Sequence, residues 1–235
     1  MRIAALVLAA GRGERLGARL PKALLALAGR PLLLHAIEAL GACAELEAIV
    51  PVVPSAELAR CAELVRDRPR VWAPVAGGAE RQDSMRAGLA ALPPDVELVA
   101  VHDAARPLVR PGDVSAVVAA ARDHGAALLA VPLRDTLKRV RDGQVAETLP
   151  RVACWAAQTP QVFRADWLRE ALAKAEADGF QGTDDAQLVE RLGIAVRVVE
   201  GDPRNLKITW PEDLEIAEAL LAQQARRRTQ EAATR

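Results

Sequence analysis

Along this chain the hydrophobic positions follow two periods in alternation. Largely apolar runs at 3–9, 46–53, 71–73, 98–101, 126–131 and 194–199 have strand character and read as strands covered on both faces. Between them, segments 31–40, 55–65, 81–92, 111–123, 166–177, 184–192 and 211–226 carry apolar residues at helical spacing, several opened by Pro or by Ser and Asp start signals. Strand and helix in turn predict an α/β fold of three layers: a mostly parallel twisted sheet flanked by helices, Rossmann-like in plan. Such sheets bind ligands beyond the carboxyl ends of their strands, so the loops after the apolar runs are where chemistry is expected.

One stretch breaks this rhythm. The string RDTLKRVRDGQVAETLPRVACW at 134–155 holds two short alternating runs around Asp142-Gly143, a hairpin turn pair, and predicts a protruding β-arm. A lone hairpin is marginally stable in water, so the arm is expected to pack on a second copy of the chain and form a homodimer. The rest reads as one domain over 1–226 with a tail at 227–235, since 235 residues at 51% hydrophobic suffice for a single α/β core.

Composition narrows the partners. Lys plus Arg and Asp plus Glu both total 31, so no global field draws the chain to nucleic acid or an anionic membrane, and any anion site must be local. The first apolar run is too short to span a bilayer and lacks a signal-peptide cleavage pattern. Cys43, Cys61 and Cys154 match neither a metal spacing nor a secreted disulfide framework, which fits a reduced, cytoplasmic protein. Lysine is scarce, with Lys22, Lys138, Lys174 and Lys207 set against a large excess of Arg. A drift from Lys to Arg spares lysine where a compact ammonium matters.

Chemistry enters directly after the first run, in Ala9-Ala10-Gly11-Arg12-Gly13-Glu14-Arg15, continuing to Gly17 and Pro21-Lys22. Glycines there let backbone N–H groups close around phosphate oxygens. Their positions at 11, 13 and 17 are one residue off the dinucleotide fingerprint GxGxxG, and no GxxxxGK[ST] loop is present. What remains is a triphosphate cradle in which Arg15 and Lys22 supply the charge.

The string AAGxGxRxxxxxPK resembles the signature of nucleotidyltransferases that activate sugars and alcohol phosphates. The resemblance continues in order through GGAERQDS at 77–84, HDAARP at 102–107, RDTLK at 134–138, QTPQ at 158–161, TDD at 183–185 and NLKIT at 205–209. Together these resemble the 2-C-methyl-D-erythritol 4-phosphate cytidylyltransferases. The resemblance implies a nucleotidyltransferase fold and attack of a substrate phosphate oxygen on the α-phosphorus of CTP. A phosphate monoester has a second pKa of about 6, so the nucleophile is already anionic and needs no strong base, in keeping with a histidine-poor sequence.

Within that reading Arg15 and Lys22 stabilise charge on the α-phosphate. Ala9, Ala10, Gly11, Gly13, Gly77, Gly78, Ser84 and Ala104 surround the nucleotide. Asp103 holds substrate hydroxyls or approaches a metal, Arg106 takes a phosphate, and His102 reads as a structural hydrogen-bonding residue. By resemblance Thr136, Arg151, Thr159, Thr183 and Lys207 bind or orient methylerythritol phosphate, with Arg151 reaching from the arm into the neighbouring subunit. Mg²⁺ is implied by the triphosphate and leans on phosphate oxygens, so no protein ligand is named. Ala79 departs from the pattern, standing where many relatives carry a polar residue. Two alternatives share the motifs: a ribitol 5-phosphate cytidylyltransferase, and a nucleotidyltransferase-like regulatory module without turnover. HDAARP favours methylerythritol phosphate, and the presence of both Arg15 and Lys22 favours an enzyme.

Overall fold

A computed structural model describes residues 1–11 and 21–233. The strands in chain order are β1 (Arg2–Leu8), β2 (Ala26–Leu27), β3 (Arg30–Pro31), β4 (Ala48–Val53), β5 (Val75–Ala76), β6 (Val96–Asp103), β7 (Ala126–Pro132), β8 (Leu137–Arg141), β9 (Gln144–Leu149), β10 (Trp155–Arg164) and β11 (Arg197–Glu200). The helices are α1 (Leu32–Gly41), α2 (Leu58–Val65), α3 (Arg81–Ala90), α4 (Pro111–His124), α5 (Ala165–Ala177), α6 (Asp185–Glu190) and α7 (Pro211–Ala233). Seven strands form one sheet in the order β11-β7-β10-β6-β1-β4-β5. All its pairings are parallel except those of β10, which runs antiparallel between β6 and β7.

The period-two alternation of β1 explains the layers. Ile3, Ala5 and Val7 face a cluster with Leu33, Ile37 and Leu40 of α1 and Val114, Val117 and Val118 of α4, whereas Ala4 and Leu6 face Met85 and Leu89 of α3 and Leu168 and Leu172 of α5. Both faces are covered, which is why these strands read as unbroken apolar runs. Burying each large aliphatic side chain there contributes about 1.5–3 kcal/mol. A third cluster joins Leu27, Leu32, Leu108 and Ile208 to Ala217 of α7. Local signals set several boundaries: a Glu80–Asp83 capping box opens α3, the Asp184 side chain accepts from Gln187 N–H at the start of α6, and Gly125 at φ 79° ends α4.

Three expectations are corrected. The strand expected at 71–73 is reduced to an isolated bridge between Val71 and Ile49; Pro74 has no N–H to continue a ladder, and pairing resumes at Val75 against Val52. The strand β10 was not expected, because Gln158, Thr159 and Gln161 interrupt its apolar character. Finally, α7 continues past Arg226 to Ala233, through a segment without Gly or Pro. The arm at 134–155 forms β8 and β9, which pair only with each other around Asp142-Gly143 and leave Val140 and Val145 exposed.

Candidate active site

The carboxyl ends of β1 and β6 and the loop between β5 and α3 enclose a cavity of about 430 Å³. Backbone hydrogen bonds fix their relative heights: Ala9 N–H donates to Val52 O (2.7 Å), Ala104 N–H to Leu8 O (3.0 Å) and Gly77 N–H to Val53 O (2.8 Å). Leu8 to Gly11 contribute from β1, Gly78 to Arg81 and Ser84 from the loop and α3, and Asp103 to Ala105 from β6. Lys22 enters on a short 3-10 turn set by Pro21, and Lys207 and Thr209 enter on the segment between β11 and α7. That segment is held down by the Ile208 N–H bond to Ala105 O at 2.9 Å.

Asp103 is the electrostatic centre. Lys207 Nζ lies 2.7 Å from its Oδ2 and Arg81 Nη2 3.2 Å from its Oδ1, while Arg81 Nη1 pairs with Asp185. Burial alone would raise the Asp103 pKa, but Arg81, Lys207 and Arg106 outweigh it and hold the carboxyl well below the usual carboxylate range. Burial of Arg81 opposes its charge, yet Asp185 and Asp103 together raise its pKa and keep it ionised. For Asp185, burial dominates over Arg81 and pushes the pKa up.

Behind Asp103 lies a neutral strap. The Thr159 hydroxyl accepts from Asp103 N–H at 3.0 Å, which leaves its own proton for His102 Nδ1, also at 3.0 Å. His102 is then the Nε2–H tautomer and donates to Arg106 O at 3.1 Å. Burial pulls the His102 pKa down to about 4, against the raising influence of Asp103, so the ring is neutral at physiological pH. Arg106 spends its fork on Asn205 O (2.8 Å) and Ala157 O (3.2 Å) and does not line the cavity.

On the opposite side the glycine pair is packed closely. A Cβ on Gly77 would sit 2.5 Å from Ala10 Cβ and 2.6 Å from Ser84 Oγ, so only glycine lets these two loops touch. The Ser84 hydroxyl accepts from Gly78 N–H and donates to Glu80 O, each at 3.2 Å, fixing the loop that opens α3.

Of the residues expected from sequence, Ala9, Ala10, Gly11, Lys22, Gly78, Ser84, Asp103, Ala104 and Lys207 line this one cavity, and Gly77 packs directly behind it. Gly13 and Arg15 lie outside the described residues. Thr159 is buried beneath Asp103 with its hydroxyl engaged, and Thr183 is exposed with its hydroxyl on Gln187. Thr136 and Arg151 sit exposed on the arm, where Arg151 donates to Arg134 O; neither lines the cavity of its own chain. Sequence reading missed Arg81, Glu80, Ala105 and Thr209 as lining residues. For Arg81 a signal existed, a cation three residues past Gly78 at a helix start. Asp185, its deeper partner, lies inside the TDD string at 183–185 but is given no role there. Among the described residues no group of three or more His, Cys, Asp or Glu is placed to hold a metal, and no helix is long and apolar enough to cross a membrane.

Residues 3–223 match the family model described as 2-C-methyl-D-erythritol 4-phosphate cytidylyltransferase. The chain is similar to proteins of that name from Pelotomaculum thermopropionicum (48% identical, covering 94% of each chain) and Symbiobacterium thermophilum (47%, covering 95% of this chain and 94% of the relative). Among solved structures it resembles a 4-diphosphocytidyl-2C-methyl-D-erythritol synthase from Anaerococcus prevotii, with a TM-score of 0.83 at 30% identity over 94% of this chain and 98% of that one. It also resembles a 2-C-methyl-D-erythritol 4-phosphate cytidylyltransferase from Thermus thermophilus, with a TM-score of 0.77 at 38% identity over the same shares.

Proposed function

The chain belongs to the 2-C-methyl-D-erythritol 4-phosphate cytidylyltransferase family and transfers CMP from CTP to 2-C-methyl-D-erythritol 4-phosphate, and we propose that the cavity between β1, β6 and the start of α3 carries this reaction. The observation that carries the assignment is that Lys22, Asp103 and Lys207, from three distant parts of the sequence, line one cavity beside a glycine-rich backbone.

The acceptor's phosphate oxygen attacks the α-phosphorus of CTP, the new P–O bond forms as the bond to the β-phosphate oxygen breaks, and pyrophosphate leaves with that electron pair. Alignment of two repelling anions and stabilisation of charge on the α-phosphate do the work. Lys22 and Arg15 supply that charge, while backbone groups of Ala9, Ala10, Gly11, Gly13, Gly77, Gly78 and Ala104 hold the nucleotide. Ser84 keeps the Gly78 loop in shape through its paired hydrogen bonds. Ala79 offers no polar side chain, so recognition at that position falls to its backbone.

Lys207 and Asp103 serve the acceptor, Lys207 toward its phosphate and Asp103 toward its hydroxyls. Arg106 and Thr159 act beside them by holding the chain that carries Asp103, and Thr183, on the loop before α6 and outside the cavity lining, is assigned to the acceptor by resemblance alone. Among the described residues the carboxylates lining the cavity are Asp103, whose two oxygens are engaged by Arg81 and Lys207, and Glu80, so a Mg²⁺ would be held chiefly by the triphosphate with Glu80 nearby. Bound there, it would neutralise phosphate charge and polarise the α-phosphate.

The exposed arm, with Val140, Val145 and Val152 uncovered, fits a homodimer in which Thr136 and Arg151 complete the partner's site. We assign the enzyme to the cytoplasm. Pyrophosphate release is the test, with Mg²⁺, each common nucleoside triphosphate, and either methylerythritol phosphate or ribitol 5-phosphate. Release confined to CTP with methylerythritol phosphate is expected; equal turnover of ribitol 5-phosphate would overturn the acceptor.

A further inference from the structure

Asp103, Lys207, Arg81 and Asp185 form a closed set of two carboxylates and two cations, and their exposures differ in a telling way. The Lys207 side chain is 46% exposed and meets Asp103 from the cavity, whereas the Asp185 side chain is 1% exposed and meets Arg81 from the protein interior. Asp185 opens α6, 104 residues along the chain from Arg81, and does not line the cavity. Its Oδ2 has no hydrogen-bond partner. A buried carboxylate with one unmet oxygen is costly, and an apolar residue would generally serve stability as well.

The geometry gives this placement a reason. Arg81 divides its fork, Nη1 to Asp185 and Nη2 to Asp103 Oδ1. A guanidinium with one carboxylate to itself tends to take both oxygens in a bidentate pair. Such a pair on Asp103 would claim the Oδ2 that Lys207 now holds. We propose that Asp185 is a positioning residue for the transfer: by occupying one arm of Arg81 it leaves Asp103 Oδ2 to Lys207 and fixes where both groups meet the acceptor. The inference rests on the assignment of Asp103 and Lys207 to the acceptor side.

The test uses the full-length enzyme with Mg²⁺ and four variants. Asp185→Asn is expected to raise the acceptor KM and lower kcat by about tenfold each, because misplacement of acting groups by about 1 Å is enough to cost more than that, while calorimetry shows CTP affinity within about threefold of wild type. Arg81→Lys keeps the buried charge balance and so is the variant best placed to fold, but one ammonium cannot bridge both carboxylates; it should show the same split. The double variant Arg81→Met/Asp185→Asn removes one charge of each sign and is expected to regain Tm, but it leaves Asp103 Oδ1 without the guanidinium that fixes the carboxylate, so the acceptor KM stays raised. Wild-type acceptor KM in Arg81→Lys or in the double variant would overturn the proposal, as would CTP affinity falling in parallel. Lys207→Ala separates the two layers: unchanged acceptor KM there sinks the underlying assignment and the inference with it, whereas a raised KM there with none in the Arg81 and Asp185 variants sinks the inference alone.

Discussion

Lys207 Nζ donates to Asp103 Oδ2 at 2.7 Å, which joins the end of β6 to the segment between β11 and α7 across the mouth of the cavity. The pair has one member that is mostly covered and one that is nearly half exposed, so the ammonium is free to exchange its partner for a phosphate oxygen while the carboxylate stays in place. Asp103→Asn would leave Arg81 and Lys207 facing each other without the intervening charge. We expect it to lower kcat/KM for the acceptor by about 10²-fold or more, the scale of stranding charged groups in a covered site, read in a steady-state pyrophosphate assay.

Lys22 lines the same cavity as Asp103 and Lys207, entering on the short turn after Pro21, and we assign its charge to the triphosphate side. Lys22→Ala should lower kcat by about 10² or more, the scale of removing one preorganised electrostatic donor. Single-turnover measurement at saturating CTP isolates this from binding. Near-wild-type turnover would remove Lys22 from the catalytic assignment.

The arm leads to a genetic-style test. Arg151 is exposed, its side chain is bonded to the Arg134 carbonyl of its own arm, and it does not line the cavity of its own chain, so we place its catalytic role in a second chain. Mixing Arg151→Ala with Lys22→Ala subunits should restore activity in hybrid dimers, because one of the two sites then carries both wild-type groups. Inactive mixtures after demonstrated subunit exchange would show that each site is built from one chain.

His102 ties stability to pH. Its pKa in the fold is lowered to about 4 by burial, below the ordinary value of about 6.5 that applies to the unfolded chain. Between these values the unfolded chain binds a proton that the folded one refuses, so the neutral-histidine contribution is intact above about pH 6.5 and is lost as pH falls toward 4. The slope from this one group approaches about 1.4 kcal/mol per pH unit at its steepest. Denaturant unfolding of wild type and His102→Gln across that window should differ in slope, with the variant the flatter; parallel curves would show that His102 does not titrate in this way.

How much of this was legible beforehand depended on where each residue's partner lies. The strands β1, β4, β6 and β7 announced themselves because both of their faces are apolar. The interior strand β10 did not, since Gln158, Thr159 and Gln161 are buried there with hydrogen bonds to Asp202 O, Asp103 N–H and Ala186 N–H, which lie in a loop, at the end of β6 and in α6, all remote in sequence. A polar side chain reads as surface until its partners are known. Lys22 and Lys207 stood out through scarcity and motif, a property of the sequence itself. Arg81 and Asp185 each lie in a quoted motif, at 77–84 and 183–185, but their pairing spans 104 residues and neither motif shows it. The same holds for Arg106, whose fork is taken by two carbonyls that only the folded chain brings near.

The glycine pair offers the sharpest separation of nucleotide from acceptor. A methyl group at Gly77 would lie 2.5 Å from Ala10 Cβ and 2.6 Å from Ser84 Oγ, well inside van der Waals contact, and neither neighbour is the far end of a flexible side chain. Gly77→Ala must therefore push the β5–α3 loop away from the β1 loop, and the Ser84 bonds to Gly78 N–H and Glu80 O move with it. Overpacking of this kind typically costs about 1–3 kcal/mol. Asp103 and Lys207 approach from β6 and from the segment after β11, and the described tie between them and the displaced loop is Arg81, which opens α3 and reaches Asp103 Oδ1. We expect Gly77→Ala to raise the KM for CTP by about tenfold or more and the acceptor KM by less, through Arg81 alone, with a lowered Tm. Equal rises in both constants would mean that the two halves of the site are coupled through the loop, and the division between nucleotide side and acceptor side would have to be redrawn.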